Sequence, residues 1–390
     1  MIINTAERIS DVKEYYFATK LREIRKRNLE GEDIINLGIG NPDMMPSENV
    51  VKKLVATAIE EGNHGYQPYK GILPLRMAMS DWYLNAYGVS LNSDTEILPL
   101  IGSKEGIMHI CMAFLDKGDG VLIPNPGYPS YGSVARLVGA ETHLYNLSPE
   151  NGWYPDLDEL RSRDLSNVKL MWINYPHMPT GTAAKKEVFL ELVAFAKEHQ
   201  ILLCHDNPYS YVLNPEPMSI LNIPGAKEVA IELNSQSKSH NMAGWRVGMV
   251  VGQEDYLNAI LRVKSNMDSG MFAPLQYAAA EALQNSRDWH AERNTIYAER
   301  RKIVWEMIKV LNCEADKEQV GMFVWARIPT HISSAEAYSE EILNRCSVFI
   351  TPGFIFGSGG EKYIRISLCN TEDRLTEALD RLTKVFAITA

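Results

Sequence analysis

Between residues 102 and 252, short apolar runs alternate with longer stretches whose apolar positions recur at helical spacing. The runs fall at 120–124, 141–145, 168–174, 201–206, 229–233 and 246–251. Strands alternating with helices predict a mostly parallel sheet covered by helices on both faces. The expected fold class is therefore α/β, with a three-layer α/β/α large domain. Ligands of such sheets sit outside the carboxyl ends of the strands. Upstream, helical spacing predicts helices at 8–27, 48–61 and 71–87, and 34–43 reads as a short strand ending in a Gly/Pro turn. Past Pro274 a helical pattern runs to about residue 311. Strands at 322–328, 348–352 and 363–368 follow, mixed with helices at 334–345 and 372–386. This tail no longer alternates regularly and predicts a smaller α+β domain. The expected division is a large domain over 46–285 and a small one made of 1–45 and 286–390, with a helix crossing the boundary.

Composition narrows the functional classes. With 390 residues the chain is long for a single core, which agrees with one large and one smaller domain. A formal net charge of −10 argues against nucleic acid or an anionic membrane as the main partner. Any phosphate site must then be a local basic pocket. The five cysteines, Cys111, Cys204, Cys313, Cys346 and Cys369, are scattered and form no CxxC pair. Free thiols in a reducing compartment, and no metal site, are the expectation. The first 27 residues are charged and amphipathic, unlike a secretory signal. No apolar run approaches the roughly 20 residues needed to span a bilayer. A cytoplasmic location is expected.

The stretch from Ser235 to Gly248 carries the most chemistry. It lies between two apolar runs and holds Ser235, Ser237 and Ser239 with one lysine, Lys238, and further on Arg246. A lone loop lysine is ordinarily a solvated charge. Among hydroxyls and an arginine it suits an anionic, aldehyde-bearing ligand, because a lysine amine forms a Schiff base with an aldehyde. An arginine and hydroxyls would hold that ligand's phosphate. This is the chemistry of pyridoxal phosphate (PLP). Asp206, ending the run 201–205, would pair with a protonated pyridine nitrogen and keep the ring an electron sink; capping the next segment is an equal reading. Tyr209 is open to donating to the ring's phenolic oxygen or to simple packing. Gly102-Ser103-Lys104-Glu105-Gly106 opens a helix and offers either an anion site or a plain cap. Tyr128, in a proline turn, is a candidate to stack on the ring. Arg365 lies inside an apolar strand, and a buried arginine needs an anion. A substrate carboxylate or an internal salt bridge would serve.

In this order the set resembles the class I/II aminotransferases of the fold-type-I PLP enzymes, in the branch with aspartate, alanine and diaminopimelate aminotransferases. The resemblance covers almost the whole chain. It implies a PLP-dependent transferase fold and places Gly40 against the substrate carboxylate. It also implies that Tyr66 reaches a neighbouring subunit's phosphate and that Ser103 and Lys104 form the phosphate loop. Tyr128 falls on the ring-stacking aromatic, Arg365 on the arginine that binds the α-carboxylate, and Asp206, Tyr209, Ser235, Lys238 and Arg246 on further cofactor-binding positions. A homodimer with shared active sites follows, as does ping-pong transfer between an L-amino acid and a 2-oxo acid, with aspartate as the donor suggested by family frequency. Tyr15, Tyr16 and the loop 266–270 are candidates to shape the side-chain end of the substrate site.

One position departs from the family. Met178 stands in His177-Met178-Pro179-Thr180-Gly181 where the family reads asparagine, whose amide donates to the ring's phenolic oxygen. A thioether cannot donate, which leaves Tyr209 alone in that role or calls on His177. The rival readings are a C–S lyase of the same fold, a ligand-binding relative that has lost catalysis, and a nucleotide-binding oxidoreductase. The retained Lys238 argues against lost catalysis, and no GxGxxG follows a strand.

Overall fold

The computed structural model of the chain describes residues 3–10 and 16–386. Its centre is a seven-stranded sheet in the order Ile97–Leu100, Gly248–Gly252, Ala230–Ser235, Leu202–Asp206, Val168–Ile173, Gly120–Asn125, Glu141–Asn146. Only Gly248–Gly252 runs against its neighbours; the rest of the sheet is parallel, as expected. Of the inner strands only Lys169 is exposed, which is why they read as largely apolar runs. One face packs on Leu73–Tyr87, Lys186–His199 and Ala273–Ala282. The other packs on Ser103–Phe114, Pro129–Leu137 and Glu254–Lys264. These are the three expected layers.

The tail forms a three-stranded antiparallel sheet, Thr351–Pro352, Tyr363–Ser367 and Phe323–Arg327, in that order. Arg287–Val310, Ala335–Cys346 and Glu372–Phe386 bury its core together with Ile35 and Leu37. Ile35–Asn36 pairs in parallel with Val348–Phe349, so the chain's beginning is tied to its end. This second apolar core is the basis for the proposed small domain.

Three sequence expectations need correcting. The strand Ile97–Leu100 was not among those read from the sequence, where Pro99 hides it. At a sheet edge a missing N–H costs nothing, and Ile97–Leu100 is an edge strand. The helix expected to cross residue 285 is two helices. Ala273–Ala282 ends, and Ser286 starts Arg287–Val310 by accepting a hydrogen bond from the Trp289 N–H at 3.2 Å. The N-terminal helix is described only as Tyr16–Leu29, with a short 3₁₀ turn at Glu7–Ile9; residues 11–15 lie outside the described part.

Leu170, fully buried on the central sheet, tests how tightly these layers pack. Leu170→Ala should cost about 2–5 kcal/mol, through lost transfer energy and the cavity left behind. Denaturant unfolding measures this, and a loss below 1 kcal/mol would mean that the core closes over the gap.

Candidate active site

Four carboxyl-terminal strand ends and the small sheet meet around one cavity of about 520 Å³. It is lined by Gly40, Ser103, Lys104, Tyr128, Asp206, Tyr209, Ser235, Lys238, Arg246 and Arg365. Ten of the sequence candidates therefore converge, from segments spread over more than three hundred residues.

Lys238 sits on the single-turn helix Gln236–Ser239 that follows the strand Ala230–Ser235. Ser235 starts this turn, its hydroxyl accepting from the Ser237 N–H at 3.1 Å. The Lys238 amine points into the cavity and donates to the Gly40 carbonyl at 2.5 Å. Burial lowers its pKa from 10.5 to about 8, and the charges of Arg365 and Arg246 push the same way. The Arg246 backbone is left-handed, with φ 59°, and its guanidinium donates to the Ala243 carbonyl (2.9 Å) and the Ser237 hydroxyl (3.4 Å). It also lies flat against Gly102, where a Cβ would stand 2.2 Å from Nη2. Glycine is therefore required before the helix Ser103–Phe114, whose first N–H groups have no intrahelical acceptor.

Asp206 ends the strand Leu202–Asp206. Its Oδ2 accepts from the Tyr131 hydroxyl at 2.8 Å, while Oδ1 is buried with no hydrogen-bond partner among the described residues. Burial raises its pKa to about 6, against the opposing Tyr131 hydrogen bond. Arg365 is only 5% exposed. It donates to the Gly38 carbonyl (2.7 Å) and the Met178 sulfur (3.2 Å), with the Phe323 and Phe356 rings at 3.9 and 4.7 Å. Gly40 lies against the same Phe323 ring, 2.2 Å from where its Cβ would stand.

Tyr66, expected to reach a neighbouring subunit, is 93% exposed and does not line its own chain's cavity; it stands beside Gly270 and Phe272, next to the loop 266–270. Other expectations change here. His177 does not turn toward the ring site. It is buried with Nδ1 2.8 Å from the Thr180 hydroxyl, and burial lowers its pKa to about 3. Tyr15 lies outside the described residues. Tyr16 is not in the cavity lining, whereas Phe17, Ala18 and Leu21 are. The sequence reading also missed Tyr131 and Asn174. Asn174 joins the Asp206 carbonyl (2.5 Å) to the Met178 N–H (2.8 Å). Arg293 was missed as well: from the long helix it donates to the Lys238 carbonyl at 3.2 Å and to the Ser239 and Tyr211 carbonyls. Nothing local marks these residues, because their neighbours come from distant strands and helices.

A half-buried amine of lowered basicity, a carboxylate oxygen with no partner among the described residues, and a guanidinium beside a helix start suit an anionic aldehyde cofactor with a basic ring nitrogen. The fold and this site are those of an aminotransferase, and the comparisons agree. Residues 32–382 match the family described as aminotransferase class I and II, and the chain belongs to it. The LL-diaminopimelate aminotransferase of Moorella thermoacetica is 42% identical, over 97% of this chain and 98% of that protein. That of Natranaerobius thermophilus is 40% identical, over 99% of this chain and 100% of that protein. Among solved structures, substrate-bound BacF from Bacillus subtilis superposes with a TM-score of 0.94 at 34% identity, covering 98% of both chains. Aspartate aminotransferase from Thermus thermophilus with maleate gives 0.91 at 26% identity, over 98% of this chain and 100% of that one. The chain is a PLP-dependent aminotransferase.

Two expected outcomes follow from the geometry. The folded protein releases a proton from Lys238 that the unfolded chain keeps between about pH 8 and 10.5, so stability of the cofactor-free protein should rise with pH across that window. The stability gap between it and Lys238→Met should narrow accordingly; a gap that does not change with pH would mean an ordinary lysine. At the second position, Met178→Asn supplies an amide donor beside the ring site. Spreading the charge of a ring oxygen loosens the proton next to it, so the colour change of the loaded enzyme should move to lower pH. Coinciding titration curves would show that residue 178 does not reach the ring.

Proposed function

We propose that this enzyme moves an amino group between an L-amino acid and a 2-oxo acid in two half-reactions, with Lys238 as the proton carrier. The observation that carries this reading is the convergence of Lys238, Asp206, Arg246 and Arg365 on one cavity. Bound PLP supplies an aldehyde that takes up the amino group and a ring that draws electrons from the substrate's α-carbon. Arg246, Ser103, Lys104 and Ser235 would hold its phosphate, Asp206 its ring nitrogen, Tyr209 its phenolic oxygen, and Tyr128 its ring face. The Arg365 guanidinium takes the substrate α-carboxylate in a charge-assisted pair, beside Gly40. That pair orients the Cα–H bond toward the Lys238 amine. With a pKa near about 8, the amine is available as a base near neutral pH, and it removes and returns the proton. Because the Gly40 carbonyl accepts from it, the amine is already aimed at the place where the carboxylate would sit.

LL-diaminopimelate is the donor that the relatives' names bring forward, at 38–42% identity over at least 97% of this chain. It displaces aspartate as the first candidate. A second reading, an L-amino acid with an apolar side chain, is supported by the cavity wall of Phe17, Leu21, Ile39, Phe323 and Phe356. A C–S lyase has less support, since the relatives are named aminotransferases. A homodimer is proposed on Tyr66 and the loop 266–270, which lie together on the surface, away from their own chain's cavity. A cytoplasmic location is proposed on the five cysteines, none of which forms a disulfide; among the described residues no helix is long and apolar enough to cross a membrane.

Lys238→Ala should lower kcat by at least about 10³-fold while leaving the fold intact, and substantial residual turnover would refute the role. Single-turnover conversion of the bound cofactor to its amine form, across LL-diaminopimelate, aspartate, leucine and phenylalanine, ranks the donors. Fastest conversion by leucine or phenylalanine would replace LL-diaminopimelate with the apolar reading.

A further inference from the structure

Behind the cavity, on the opposite face of the sheet, lies a buried ion cluster that the proposed mechanism does not use. Glu232 and His205 are neighbours across the strands Ala230–Ser235 and Leu202–Asp206, and both are 0% exposed. The Glu232 carboxylate accepts from the Tyr83 hydroxyl (2.8 Å) and Asn207 Nδ2 (3.2 Å) on Oε1. On Oε2 it accepts from the Ser219 hydroxyl (2.8 Å) and the Ile220 N–H (3.1 Å). Both of its oxygens are thus satisfied by donors. His205 Nδ1 lies 2.8 Å from the same Oε2, so Nδ1 carries a proton. His205 Nε2 lies 2.9 Å from the Tyr175 carbonyl oxygen, which can only accept. The Tyr175 N–H is also within 3.3 Å of Nε2 and would suit a bare nitrogen. The carbonyl is nearer, and a bare nitrogen there would set two lone pairs against each other. The geometry therefore favours a proton on both ring nitrogens.

Side chains of successive strand residues point to opposite faces. His205 thus faces Glu232, while the next residue, Asp206, faces the cavity. His205 is the chain neighbour of Asp206, and its charge favours the ionised carboxylate while that of Glu232 opposes it. The other titratable groups packed around these two acids are Tyr83, Tyr87 and Tyr175 on the rear face, and Tyr131, Tyr128 and Tyr209 on the cavity side. Burial raises Tyr83, Tyr87, Tyr131, Tyr175 and Tyr209 above the usual range, so these five stay neutral near pH 7.

We propose that His205, held as an imidazolium by Glu232, is a positioning residue that keeps Asp206 ionised to accept the cofactor's ring N–H. This rests on Asp206 serving the ring nitrogen, as proposed above. Asp206 is buried, and its Oδ1 has no protein donor among the described residues. Without a positive charge behind it, a proton would settle on the carboxyl and the ring nitrogen would lose its acceptor.

A neutron map of the full-length protein near pH 7.5 should show deuterons on both His205 nitrogens; one deuteron overturns the proposal and needs no variant. In the cofactor-free chain, His205→Gln and Glu232→Gln should each raise the proton affinity of Asp206 about tenfold, a shift of about one pH unit in its ¹³C carboxyl titration. Both should also cut kcat more below pH 7 than at pH 8.5, because the carboxylate is then lost to protonation. Folded variants that keep the wild-type titration of Asp206 would assign the cluster to fold stability alone and overturn the proposal. Asp206→Ala with ¹⁵N-labelled cofactor separates the two readings. If the ring nitrogen stays protonated there, Asp206 has another role and the underlying assignment falls, whatever the state of His205.

Discussion

Charges taken out of water without a protein counter-ion organise this molecule. Lys238, half-buried, ends on a carbonyl oxygen, and buried Asp206 keeps an oxygen with no partner among the described residues. Isolated buried charges are expensive, and proteins normally pair them or leave them neutral. Here the cost is lowered by shifting both groups toward neutrality, Lys238 to about 8 and Asp206 to about 6. A ligand that brings an aldehyde and a basic ring nitrogen relieves both at once. The same pressure explains why a chain of net charge −10 gathers Arg246, Arg365, Lys104 and Lys238 around a single cavity.

The sheet supplies the rigidity this needs. Parallel strands deliver Asp206 and the Lys238 turn to the same edge, in hydrogen-bonded register. The one antiparallel strand, Gly248–Gly252, folds the chain back over that edge. In doing so it brings Arg246 onto Gly102, at the start of the helix Ser103–Phe114. Two remote loops are thus fixed against each other by one reversal of strand direction. Arg293 adds a second constraint, holding the backbone of the Lys238 turn from the long helix of the other core.

What could be read from the sequence follows from where the information lies. Asp206 and Arg365 were legible because each ends or interrupts an apolar run, where a charge stands out, and Lys238 because it stands among serines with an arginine close by. The parallel alternation was legible because strands buried on both faces are apolar throughout. Tyr131 and Asn174 were not, since their importance comes from partners 75 and 32 residues away. Ile97–Leu100 was masked by Pro99, which is harmless only at an edge, and edge position is a property of the assembled sheet. The break near residue 285 was missed because Ser286 is an ordinary polar residue until its hydroxyl caps the next helix. Tyr66 carried a role drawn from family resemblance, and it stands outside its own chain's cavity.

The substrate end of the site depends on a different kind of contact. Arg365 packs against the Phe323 and Phe356 rings, and it donates to the Gly38 carbonyl and the Met178 sulfur. A thioether is a weak acceptor that holds an arginine loosely compared with an amide oxygen. On the proposed reading, a substrate carboxylate entering beside Gly40 would meet a guanidinium already desolvated and oriented by the Gly38 carbonyl. Desolvation strengthens the new pair, and the weak prior contact makes it cheap to exchange. On the proposed reading, Met178, which lines the cavity and touches Arg365, stands where a change would bear on both substrate binding and the ring. The chain's own end closes the same region. Arg300 grips Asp43 through both carboxylate oxygens, at 2.7 and 2.8 Å, and so fixes the turn that carries Gly40 against the long helix. On the proposed reading, the carboxylate-binding face is built by the small sheet and the N-terminal segment together, while the large sheet would supply the base.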